Sequence, residues 1–246
     1  MSLTTWPQRI DNVWLTVESL IDQSSELKAI ILVLSEDEFP NRELPKRLLK
    51  QVQRGLSIHW TVGNLKSYKK LVPVLELYPN HDVITFDDDV IYPKDVVSSL
   101  LRASENHPKT VVGMRGYKIA VSNEAILPYA YWKQLNFESF GKCILLTGVG
   151  GILYPATLLS NELIKNMTLA SKLAPNADDL WFWLVTLKSN LTIYCLGSSD
   201  FRLNHYKLQS RALSIRNVEH GENDKQLKNI LNHFPEVKAM LLSECK

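Results

Sequence analysis

Apolar positions along the first 115 residues fall into two alternating rhythms. Short apolar runs at 2–5, 29–34, 56–61, 83–86 and 110–114 read as strands. Between them, 13–21, 45–54, 67–77 and 94–105 place apolar residues three or four apart, the period of a helix with one buried face. Pro45 and Pro93 stand where a first helical turn tolerates proline. Strand–helix–strand repetition predicts an α/β fold with a mostly parallel central sheet flanked by helices.

From Gly116 the rhythm changes. Short extended pieces at 117–121, 143–146 and 151–154 are separated by aromatic and glycine-containing loops. Helices are predicted at 157–166 and 178–189, a strand at 191–196, an extended tail at 198–223 and a closing amphipathic helix at 224–234. No linker rich in Pro, Gly or Ser divides the 246 residues. The expected organisation is one domain in two halves, 1–115 and 116–200, closed by a C-terminal segment at 201–246.

Composition narrows the classes. Apolar residues at 45% and charged residues at 22% fit a globular protein, and a net charge of +2 is too small for a nucleic-acid binder. Cys143, Cys195 and Cys245 are odd in number and widely spaced, so neither a disulfide framework nor a zinc ribbon is expected, and reduced thiols in a cytoplasmic protein are. The chain opens without a charged segment followed by an apolar one, and no apolar run is long enough to span a bilayer. Membrane association is therefore expected only as peripheral contact at the inner face.

The chemistry concentrates at 83–93. An apolar strand delivers Asp87-Asp88-Asp89, and Pro93 starts the next helix. In open α/β sheets that strand end is where ligands bind. Three adjacent carboxylates repel one another, and a hard divalent cation, Mn²⁺ or Mg²⁺, relieves the repulsion. A calcium loop is excluded because Tyr92 stands where glycine is required. A solvated acidic turn beside a helix N-terminus is the alternative use of the same residues.

Here the sequence resembles the GT-A glycosyltransferases. The resemblance rests on the Asp-x-Asp motif together with Ser2-Leu3-Thr4-Thr5-Trp6-Pro7-Gln8-Arg9-Ile10, Ser67-Tyr68-Lys69-Lys70-Leu71, Thr147-Gly148-Val149-Gly150-Gly151-Ile152-Leu153-Tyr154-Pro155 and Ala177-Asp178-Asp179-Leu180-Trp181. It implies a bacterial metal-dependent transferase, inverting, moving sugar from a nucleotide diphosphate donor such as a UDP-sugar to a glycan or lipid-linked glycan in surface polysaccharide synthesis.

Carried onto this chain, the resemblance implies that Asp87 and Asp88 serve the nucleotide, and that Asp89 with Asp87 binds the metal. Thr4, Thr5 and Arg9 would hold the nucleobase, and Lys69 or Lys70 would reach the base or diphosphate. Gly150 and Gly151 would wall the donor-sugar pocket. Asp179 would be the catalytic base, with Asp178 beside it, and His205 or His220 an added metal ligand. Each has a plain alternative: a solvated lysine face, a surface ion pair for Arg9, a turn for the glycines, and a helix cap for Asp178. The basic tail carrying Arg202, Lys207, Arg211 and Arg216 would close as a lid. Two rival functions remain: a haloacid-dehalogenase-like phosphatase and an inactive nucleotide- or sugar-binding module.

Overall fold

A computed structural model of the chain describes residues 1–25, 27–122, 125–197, 204–205 and 221–245. The first half runs β1 (Ser2–Thr4), α1 (Val13–Ile21), β2 (Ile30–Ser35), α2 (Lys46–Val52), β3 (Leu56–Thr61), α3 (Val72–Leu77), β4 (Val83–Phe86), β5 (Val90–Ile91), α4 (Val96–Asn106) and β6 (Thr110–Gly113). The second half holds β7 (Gly116–Lys118), β8 (Lys133–Gln134), β9 (Ser139–Gly141), β10 (Ile144–Leu146) and β11 (Ile152–Tyr154). It continues with α5 (Asn161–Ile164), α6 (Met167–Leu173), α7 (Asp178–Lys188), β12 (Thr192–Cys195), β13 (Asn204–His205), α8 (Glu222–His233) and α9 (Pro235–Glu244).

Among the described residues, the central sheet has the order β3-β2-β1-β4-β11-β6-β12-β9. Strands β1 to β4 are mutually parallel, as are β6 and β12, whereas β11 and β9 run antiparallel to their neighbours. The chain winds outward from β1 through β2 to β3, then returns to place β4 on the other side of β1. The strand order therefore reverses between β1 and β4. At such a switch point the two connections leave in opposite directions and open a crevice at the strand ends.

Alternating side chains sort the core into two layers, as period-2 geometry requires. On β2, Ile31 and Val33 join one layer and Leu32 and Leu34 the other; β11 divides Ile152 and Tyr154 from Leu153 in the same way. One layer takes Val13, Val17 and Leu20 of α1 with Val97 and Leu100 of α4. The other takes α7, whose residues Leu180–Val185 are all buried. A helix buried on every face shows little amphipathic pattern.

Three local readings are corrected. The helix expected at 67–77 is broken into a 3₁₀ turn (Lys66–Lys70) and α3, because Pro73 lacks an N–H and is tolerated only at a helix start. The helix expected at 157–166 is a 3₁₀ turn (Ala156–Leu158) followed by the short α5. A further helix, α9, begins at Pro235, beyond the expected closing helix.

The thiols are corrected as well. Cys143 and Cys245 are joined in a disulfide, 102 residues apart in sequence with their Cα atoms 5.5 Å apart, and only Cys195 is free and buried. Burial pushes the Cys195 thiol up to about 11. Sequence spacing could not show this pair, because the fold alone carries the end of α9 back to the residue before β10. Disulfides persist in oxidising surroundings, which argues against the reduced state expected above. No helix among the described residues is long and apolar enough to cross a membrane.

The bridge closes a loop of about a hundred residues, for which chain entropy sets an upper bound of about 4.7 kcal/mol. Cys245→Ser, or reduction of the wild type, is expected to lower Tm by about 5–12 °C in differential scanning calorimetry. Peptide mapping without reductant should recover Cys143 and Cys245 in one linked fragment. An unchanged Tm after verified reduction would mean that the bridge does not hold α9 in place.

Candidate active site

The switch point gathers charged groups from four parts of the chain. Phe86 ends β4 and Asp87, Asp88 and Asp89 follow it; Thr5 and Arg9 follow β1. Asp88 is the strut between the two strand ends. Its Oδ2 accepts from the Thr5 hydroxyl at 2.5 Å, its Oδ1 pairs with Arg9 at 2.6 Å, and its carbonyl accepts from the Thr16 hydroxyl at 2.9 Å. Burial raises the Asp88 carboxyl above the usual range, while Arg9 and Thr5 oppose it. Arg9 also reaches Asp89 Oδ2 at 3.0 Å.

A second cation lies on the other side. Lys70, from the 3₁₀ turn that Pro73 ends, is buried with its Nζ 2.9 Å from Asp87 Oδ1 and 2.9 Å from Asp178 Oδ2. Burial alone would lower the Lys70 ammonium; Asp178, Asp87 and Asp179 outweigh it and raise it well above the ordinary value. Ser67, one turn earlier, donates to Asp178 Oδ1 at 2.8 Å. Asp178 is the first residue of α7 rather than its cap, which is Ala177.

Asp179 differs from its neighbour. Its Oδ2 accepts the Gly148 N–H at 3.2 Å, while Oδ1 is buried without a hydrogen bond. The residue keeps some exposed area, yet protein atoms surround it closely, and it borders a small cavity lined by Val111, Ile152, Phe182 and Trp183. Burial first, then Asp178, pushes its carboxyl up to about 7.

Gly148 explains itself by contact. A Cβ there would stand 2.7 Å from both Asp87 Oδ1 and Lys70 Nζ, so any side chain would wedge the central pair apart. Gly151, at φ 88°, needs the left-handed region and lies against the Phe86 ring. A Cβ on Gly150 would press on Met114 and Arg115 instead. These two glycines thus pack the loop on β4 and β6, and only Gly148 touches the charged cluster.

The remaining candidates disperse. The Thr4 hydroxyl donates to the Val33 carbonyl within the sheet at 2.8 Å, and Lys69 is buried in an ion pair with Glu38. The His205 backbone pairs antiparallel with Val90, the residue after Asp89. His220 and the basic residues Arg202, Lys207, Arg211 and Arg216 lie outside the described residues. Thr16 escaped sequence reasoning, and Ser67 stood in a quoted motif without a role, because nothing in a lone hydroxyl's spacing marks its partner. Lys70 was legible as basic, but the turn that aims it was not.

Five carboxylates here face two cations, Arg9 and Lys70. Asp89 feels the excess: burial, then Asp87, pushes it up to about 6 against the pull of Arg9. Among the described residues no three His, Cys, Asp or Glu side chains converge as a complete metal set. Mn²⁺ and Mg²⁺ bound beside phosphates commonly take only one or two protein carboxylates. The oxygen chemistry and surplus charge of Asp89 and Asp87 fit such an ion.

The α/β sheet, mostly parallel and flanked by helices, has the fold of the nucleotide-diphospho-sugar transferases. Among solved structures it is similar to 4-diphosphocytidyl-2C-methyl-D-erythritol synthase, with 11% identity, 83% of this chain and 92% of that one covered, and a TM-score of 0.51. Weaker likenesses are to S. aureus TarS 1–349 in complex with UDP (15% identity, 81% and 57% covered, TM-score 0.48) and UTP-bound UGPase from Acinetobacter baumannii (13%, 94% and 87%, 0.47). At these identities the likeness is one of fold alone. No protein-family model and no curated protein matches the sequence.

The raised Asp179 carboxyl has a consequence for stability. Its folded value of about 7 lies above the ordinary 3.8, so the native state binds more protons than the unfolded chain between those values. Stability must therefore fall as pH rises through that window. In chelator-treated protein, Asp179→Asn is expected to flatten this decline and raise Tm at pH 8. Thermal melts from pH 4 to 8 check it; parallel curves for variant and wild type would refute the buried-carboxylate reading.

Proposed function

We propose that the protein transfers a sugar from a nucleotide diphosphate donor, a UDP-sugar, to a hydroxyl of a glycan or lipid-linked glycan, with Mn²⁺ or Mg²⁺ as cofactor. One observation carries this reading: Lys70 joins Asp87 of the acidic run to Asp178 of the Asp178-Asp179 pair at the point where strand order reverses. Ligands of open α/β sheets bind there. Asp89 and Asp87 would hold the cation, which when bound offsets charge developing on a diphosphate leaving group.

The protein's own groups divide the remaining work. Lys70 pairs with Asp87 and Asp178 and fixes their spacing. Arg9 and Thr5 fix Asp88, so that the acidic turn keeps its shape when substrate binds. Asp179 is the base: its proton affinity lies near neutrality, where a general base works best. It would take the proton from the acceptor hydroxyl as that oxygen attacks the anomeric carbon, inverting its configuration.

The shared fold also raises nucleotidyl transfer. That reaction must cradle a triphosphate, commonly on backbone N–H groups of a glycine-rich loop. The loop between β1 and α1, residues 5–12, contains no glycine, which favours sugar transfer. A dehalogenase-like phosphatase is disfavoured because β1 leads into Thr5 and Trp6 rather than a nucleophilic aspartate.

Asp89→Asn is expected to remove the Mn²⁺-dependent part of UDP binding in isothermal titration while leaving the melting profile cooperative. Asp179→Asn should leave UDP affinity near normal yet lower kcat for sugar transfer by about 10²–10⁴-fold. Undiminished Mn²⁺-dependent UDP affinity in Asp89→Asn would remove the metal assignment. Retained anomeric configuration in the product, read by proton NMR, would remove Asp179 as an inverting base.

A further inference from the structure

Arg115 follows β6 and is locked to the glycine loop through its backbone. Its carbonyl accepts the Thr147 N–H at 3.0 Å, and its N–H stands 3.0 Å from the position of a Cβ on Gly150. The same loop carries Gly148, which touches Asp87, Lys70 and Asp179. The Arg115 side chain turns toward the small antiparallel sheet β10-β7-β8. One amino group donates to the Tyr117 hydroxyl at 2.6 Å and to Gln134 Oε1 at 3.3 Å, and the guanidinium carbon lies 5.3 Å from the Tyr117 ring centre.

Both partners are neutral. Among the described residues, the ion pairs of the site engage Arg9 and Lys70, and no carboxylate pairs with Arg115. Tyrosine and glutamine thus orient the guanidinium without cancelling its charge. A partly buried cation held by neutral partners alone calls for another explanation.

Its surroundings suggest one. Tyr129 packs 5.4 Å from Tyr117 and 5.0 Å from Trp132, centre to centre, and Tyr131 beside it is 66% exposed. Burial raises the Tyr129 phenol; Tyr117 and Asp179 add to the rise, and Arg115 opposes it. Arg115 and Asp179 therefore act on one neighbourhood, around Tyr129. A planar guanidinium binds carboxylate and phosphate through two parallel hydrogen bonds.

We propose that Arg115, oriented by Tyr117 and Gln134, recognises a carboxylate or phosphate carried by the acceptor sugar, so that the acceptor is an acidic carbohydrate. This rests on the glycosyl-transfer reading above. The test is isothermal titration of protein saturated with UDP and Mn²⁺, using glucuronate, glucose 6-phosphate and glucose as probes. Wild type is expected to bind one of the two acidic sugars at least about tenfold more tightly than glucose, and which one identifies the anion. Arg115→Gln should erase that preference with UDP affinity unchanged. Arg115→Lys should keep the charge but lose about threefold or more of the preference, since a point charge cannot bind bidentately; it decides the matter if Arg115→Gln does not fold. Equal binding of all three sugars by wild type, or an undiminished preference in the folded variants, overturns the proposal while UDP binding stands. Absent UDP binding in wild type overturns the glycosyl-transfer reading, and this proposal with it.

Discussion

The site depends on one buried cation. Lys70 Nζ lies 2.9 Å from carboxylates on two elements, Asp87 after β4 and Asp178 at the start of α7. Those elements are about ninety residues apart in sequence, and the ammonium is what lets their negative charges meet. Removing one partner of a buried pair leaves an uncompensated charge, at a typical cost of about 3–5 kcal/mol. The same geometry dictates the glycine at 148, because a Cβ there would stand on the pair. Asp179 hangs from that glycine's N–H, so the base candidate is positioned through the loop that Lys70 requires.

A parallel arrangement secures the other half. Arg9 and Thr5, at the end of β1, hold Asp88 and leave Asp87 and Asp89 on either side of it. Asp87 is the most open of the three, its side chain 27% exposed against 8% for Asp88. The central residue of the acidic run thus has a structural task, while Asp87 keeps the most exposure and Asp89 shares Arg9 with Asp88. What remains is a surplus of negative charge on largely buried carboxylates, which a divalent cation would offset. Arg115, just past β6, is held instead by Tyr117 and Gln134, both neutral.

The C-terminal helices are tied to the second half of the chain at two points. Cys245 ties α9 to the residue preceding β10, and Asp224 of α8 accepts the Tyr129 N–H at 2.7 Å. The aromatic cluster of Tyr117, Tyr129 and Trp132 is therefore buttressed by residues about a hundred positions downstream.

Much of the fold was legible along the chain. Strands β1 to β4 and β6 and helices α1, α4 and α7 stand within about two residues of where apolar periodicity places them, because each buries a face set by local geometry. The acidic run after β4 was legible for the same reason: a strand end is a local feature. Pro73 was equally visible, yet its power to split a helix depends on where neighbouring turns bury their residues. The pairing of Cys143 with Cys245, the diversion of Lys69 to Glu38 while Lys70 joins Asp87 and Asp178, and the use of Asp88 as a strut belong to tertiary structure alone. Sequence by itself determined which short segments are strands and helices and that carboxylates gather at one strand end. Only the folded chain decided which charges meet, since a pairing energy depends on distance and burial, and neither quantity exists until remote segments are packed together.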